Sequence, residues 1–87
     1  MKISIEEAGE NSCVLHSETN SSTNAFPIPI SATALVDGLK QLLRNSEKRD
    51  HRVGTVYLAR QRDWVAVHSG PGRFELPHAN VYPIVLA

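Results

Sequence analysis

Apolar and polar residues alternate from the start of the chain. Ile3 and Ile5 point one way and Lys2, Ser4 and Glu6 the other, the mark of a short half-buried strand. Ala8-Gly9-Glu10-Asn11 is turn chemistry, and Cys13 to His16 supplies a second strand, so a hairpin is expected. An unbroken polar run follows, Ser17 to Asn24. Small polar side chains bond to their own backbone and resist regular structure, which predicts a flexible polar loop over 17–25 that could order on binding. In Phe26-Pro27-Ile28-Pro29-Ile30 the alternating prolines forbid a helix and cannot donate ladder hydrogen bonds. The segment is expected to be extended, covering the core or forming an edge strand.

The clearest element runs from about Ala32 to Ser46 or slightly beyond. Ser31 is placed to cap it, and Leu35, Leu39 and Leu42, with Val36 and Leu43, fall on one side at helical spacing. Gly38 weakens the helix by ~1 kcal/mol relative to alanine, a cost that close packing on a sheet can justify. The period then changes. Glu47 to Arg52 is a charged connector and Val53 to Arg60 alternates as a strand. Gln61-Arg62-Asp63 makes a turn, and Trp64 to His68 returns as the second arm of a hairpin. Ser69-Gly70-Pro71-Gly72 is a strong turn signal before a short strand, Arg73 to Leu76. Val81 to Leu86 begins strand-like but carries Pro83.

These elements predict one α+β domain over residues 1–87. It is a small two-layer domain in the order β-β-α-β-β-β, with one amphipathic helix packed on a mostly antiparallel sheet. A chain of 87 residues buries only roughly 60–65% of its unfolded surface, so partner binding or self-association is a cheap way to gain burial. The bare apolar C-terminal strand suggests how: it completes its own sheet or pairs with a second copy as a homodimer.

Composition is ordinary for a globular domain, 41% apolar and 21% charged. Nine basic residues balance nine acidic ones, which argues against a dedicated nucleic-acid domain. The distribution is more informative. Residues 1–37 hold Lys2 against Glu6, Glu7, Glu10, Glu18 and Asp37, a net −4, and residues 38–87 carry the compensating +4. Lys40, Arg44 and Lys48 recur every four residues and so form a stripe along one helix face, which Arg49 and Arg52 extend; Arg60 and Arg62 follow in the hairpin. These seven residues are the candidate partner-binding set.

No motif for chemistry stands out. His16, His51, His68 and His78 do not fall at metal-ligand spacings, and Cys13 and His16 would point to opposite faces of a strand, so no metal and no cofactor are expected. Cys13 has no neighbouring cation in sequence to activate it and reads as a buried structural residue. The glycine loop has a proline at its centre and leads into a strand, unlike a phosphate-cradling loop. His68, Arg73, Glu75 and His78, with Arg60 and Arg62 nearby, supply the residue types of a phosphodiester-cleaving site. One lone cysteine, a start without a signal-peptide run and no apolar stretch of membrane-spanning length point to a cytoplasmic protein that does not enter membranes.

The reading that follows is a small non-catalytic interaction domain. It would be an inhibitor, adaptor or immunity/antitoxin-type factor of the kind that bacteria, phages and mobile elements encode, with another protein, acidic at the contact, as its partner. The alternatives are a nucleic-acid binder using the basic helix stripe and a small nuclease-like toxin.

Overall fold

The computed structural model describes residues 2–45 and 47–86. Three strands come first: β1 (Lys2–Gly9), β2 (Ser12–Glu18) and β3 (Thr23–Ile28). Helix α1 (Ala32–Arg44) follows, then β4 (Asp50–Val53), β5 (Val56–Arg60), β6 (Trp64–Ser69), β7 (Gly72–Pro77) and a second helix, α2 (His78–Val85). The strands form two antiparallel sheets, β1-β2-β3 and β4-β5-β6-β7, each ordered as in the chain. The α+β class and the antiparallel pairing are as the pattern predicts; the second helix, the second sheet and two further strands are additions to it.

Each departure has a local cause. The polar run shrinks to a four-residue turn, because β2 continues through Glu18 and pairs it with Thr23 of β3. The turn is knitted by Thr19, whose amide donates to the Ser22 carbonyl at 2.8 Å and whose hydroxyl accepts from the Ser22 amide at 3.2 Å. Polar side chains suit these positions because β3 is an edge strand and Thr23, Asn24 and Ala25 are exposed. The alternating stretch before Arg60 is a hairpin, not one strand. Val53 pairs with Val56 across Gly54-Thr55, and Gly54 takes φ +59°, a conformation open to glycine in two-residue turns. Gly70 repeats the device between β6 and β7 at φ +57°.

The last segment is the largest correction. Val81 to Val85 lie in α2 and Leu86 is its C-cap, so among the described residues this segment forms no strand. Val81 and Val85 are buried and Ile84 half-buried, a spacing of three and four that lays them on one helix side. Pro83 sits inside this short helix, which starts without a side-chain cap.

Helix α1 is shorter than its apolar pattern allowed. It ends at Arg44, and Ser46 lies outside the described residues. The Ser31 hydroxyl caps its start, accepting from the Ala34 amide at 3.1 Å. Leu35, Leu39 and Leu42 are fully buried, each contributing roughly 1.5–3 kcal/mol of transfer free energy. They meet Cys13, Leu15 and Ile28 from the first sheet and Val56, Leu58, Val65, Val67 and Leu76 from the second. Gly38 lets α1 lie close on the second sheet: a Cβ there would come within 2.7 Å of Val53 Cγ2 and 3.0 Å of Leu58 Cδ1. Phe26 of β3 packs on Phe74 of β7 with ring centroids 5.6 Å apart, joining the two sheets, and α2 lies against α1, β7 and β1.

Candidate functional site

The basic stripe divides. Lys40 and Arg44 stand one turn apart on α1, but the helix has ended before Lys48, which is half-buried in the connection to β4. Lys40 and Arg44 instead flank a groove between the helices. Leu43 on α1 and Tyr82, Val85 and Leu86 on the other wall complete a hollow of about 390 Å³. A second hollow of about 440 Å³ continues past Lys40 between Val36, Ile5 and Ile84. Among the described residues the exposed large hydrophobics are Tyr82, 50% exposed, and Leu86, 79% exposed, and both line this groove. An apolar floor with two flexible cations on its rim can take an apolar segment and pair with acidic groups beside it.

Arg60 has a different task. Its side chain lies on the same strand face as Val56 and Leu58 and reaches the open end of α1. There Nη2 donates to the carbonyls of Leu42, at 2.8 Å, Asn45 and Lys48. No glycine closes this helix; Asn45 is extended, and its carbonyl also accepts the Lys48 amide at 3.1 Å. The guanidinium serves all three carbonyls and places positive charge at the negative end of the helix dipole. Arg49, Arg60 and Arg62, with Gln61, line a third hollow that shares no lining residue with the groove.

Arg52 faces elsewhere again. Register places Arg52, Tyr57, His68 and Arg73 in one row across β4, β5, β6 and β7. Their face is opposite the one that carries Leu58 and Val67 to the core. Tyr57 and His68 rings lie 5.9 Å apart, and the Tyr57 hydroxyl donates to Asp50 at 2.7 Å. That bond, more than any burial, holds the Tyr57 hydroxyl protonated above its ordinary range. Glu75 pairs with Ala66, one step diagonally from His68 on the same face. Three of the residues proposed for phosphodiester chemistry, His68, Arg73 and Glu75, therefore share a face, while His78 opens α2 outside it.

On the first sheet, Cys13 and His16 do point to opposite faces. Cys13 is fully buried, and burial, with Glu7 beside it, pushes its thiol up from 9.0. His16 faces outward, with Nε2 3.0 Å from Glu6 Oε2. Among the described residues no three His, Cys, Asp or Glu side chains gather closely enough to hold a metal ion, and no helix is long and apolar enough to cross a membrane.

Sequence reasoning missed the α2 half of the groove. The signal was present: Val81, Ile84 and Val85 stand at i, i+3 and i+4, a helical spacing, whereas strand alternation would group Val81 with Pro83 and Val85. No known family model, no curated protein and no solved structure matches this chain.

Proposed function

We propose that this chain is a small interaction domain that works by binding another protein. The contact is the groove between α1 and α2, and the bound element is an apolar segment carrying acidic side chains. One observation carries the reading: the exposed large hydrophobics Tyr82 and Leu86 lie together on one hollow, beside Lys40 and Arg44. Apolar anchors supply binding energy through burial, and the two cations favour an acidic partner and steer its approach. An inhibitor, adaptor or immunity/antitoxin-type factor needs no more than such a surface, and a free, buried Cys13 suits a reducing, cytoplasmic setting.

The test is recovery of tagged protein from its native lysate, with and without nuclease, using wild type, Lys40→Glu and Leu86→Asp. The expected result is a stoichiometric protein partner that survives nuclease and is lost from both variants, with an apolar, acidic segment cross-linked to the groove. Retention of the partner by both variants, or recovery of nucleic acid alone, overturns the proposal.

A second reading rests on the open face of β4 to β7. His68 and Glu75 could exchange protons during RNA cleavage while Arg73 holds the phosphate, as in a small nuclease-like toxin. It requires turnover of a short RNA that His68→Ala and Glu75→Ala each abolish without unfolding. Uncleaved RNA at high protein concentration removes this reading.

A further inference from the structure

Arg49, Arg60 and Arg62 converge on one hollow of about 370 Å³ whose remaining lining residue is Gln61. The backbone brings them together: the Arg60 amide donates to the Arg49 carbonyl at 2.7 Å, extending the β4–β5 ladder one step beyond the Asp50–Ala59 pair. Arg49 and Arg60 thus face each other across the strands, and like charges directly opposite are unfavourable. Among the described residues no ion pair joins any of the three guanidiniums to a carboxylate. Asp50 and Asp63 are neighbours in sequence, but neither lines the hollow; Asp50 accepts the Tyr57 hydroxyl instead. Arg60 is pinned by its three carbonyl contacts and so is held in place before any ligand arrives.

We propose that this hollow binds a compact phosphate ligand, such as inorganic phosphate or a small diphosphate. Planar guanidiniums match phosphate oxygens with paired hydrogen bonds, and the Gln61 side-chain amide adds a neutral donor. A ligand of two or more negative charges offsets the repulsion among the exposed Arg49 and Arg62 and the Arg60 guanidinium, whose charge the helix-end carbonyls offset in part. The hollow is concave and small, near the lower end of small-molecule sites, which favours a compact ligand over an extended nucleic-acid strand. This inference is independent of the helix groove, whose lining shares no residue with it.

The experiment is calorimetric and NMR titration of the full chain with sodium phosphate, with pyrophosphate and with a short single-stranded oligonucleotide, at constant ionic strength set by chloride. Saturable 1:1 binding is expected, tighter for pyrophosphate than phosphate, with amide shifts centred on Arg49, Gln61 and Arg62. Arg49→Ala and Arg62→Ala should each weaken it about tenfold, the loss of one charge-assisted contact. Both side chains are exposed, and circular dichroism verifies that the variants fold. Lys2→Ala, an exposed cation on the first sheet, should leave affinity unchanged. No saturable binding of either phosphate, equal weakening by Lys2→Ala, or binding of the oligonucleotide alone overturns the proposal.

Discussion

Replacing Arg60 by methionine tests the claim that a strand arginine terminates helix α1. Methionine keeps the unbranched stem and its packing but removes every donor. The carbonyls of Leu42, Asn45 and Lys48 each receive a bond from Nη2, and that of Asn45 also accepts the Lys48 amide. That nitrogen carries two hydrogens, so two carbonyls are well served at any instant. At about 1.5 kcal/mol for each charge-assisted bond, their loss costs about 3 kcal/mol. Removing the charge facing Arg49 returns up to about 1 kcal/mol, leaving a net destabilisation of about 2 kcal/mol. In a domain this size that lowers Tm by about 8–16 °C. Arg60→Lys retains the charge at the helix end without the planar fork and should fall between wild type and Arg60→Met. Urea denaturation gives the free energy, and amide exchange near Leu42 to Asn45 locates the loss. An Arg60→Met protein within about 0.5 kcal/mol of wild type would refute the capping role, since that is the range of an ordinary surface substitution.

Gly38→Ala sets helix propensity against packing: propensity alone gains about 1 kcal/mol, but the new Cβ meets Val53 Cγ2 at 2.7 Å. Val53 is β-branched and stiff, and overpacking costs about 1–3 kcal/mol, so the urea midpoint should fall by the equivalent of about 1 kcal/mol; a rise would mean that α1 lifts freely from the sheet. Cys13 should resist a thiol reagent in the folded protein and react at once in urea, because its side chain is buried and its thiol is held protonated. The unfolded thiol loses its proton near 9.0 while the folded one retains it, so stability should decline above about pH 9, by at most about 1.4 kcal/mol per pH unit from this group. Stability that climbs between pH 8 and pH 10 contradicts that assignment.

What could be read from the sequence was whatever local periodicity determines. The α1 leucines and the Ser31 cap were legible because both depend on neighbours within one or two turns. The placement of the β4–β5 hairpin was not, because the alternation is regular from Thr55 to Ala59 and only Val53, paired with Val56 on the same face, departs from its phase. The polar stretch after His16 failed for the opposite reason. Glutamate and asparagine, at Glu18 and Asn24, disfavour strands intrinsically, yet the pairing of β2 with β3 outweighs that preference on an exposed edge. In α2 the apolar residues satisfy either period over so few positions, and only its packing against α1, β7 and β1 decides in favour of a helix.

The candidate site shows the same limit in its charges. The spacing of Lys40, Arg44 and Lys48, which Arg49 and Arg52 extend, makes one stripe only if the helix runs on to Lys48. Ending α1 at Arg44 separates them: Lys40 and Arg44 flank an apolar groove, Arg49, Arg60 and Arg62 gather at a strand end, and Arg52 joins Tyr57, His68 and Arg73 on the open sheet. A single stripe would favour a long polyanion, since each added phosphate contact adds to the same binding event. Divided charge favours separate partners of separate shape. The Arg60 contacts explain why the division arises: the residue that ends the helix is one of the cations, so the element that breaks the stripe also anchors the second cluster.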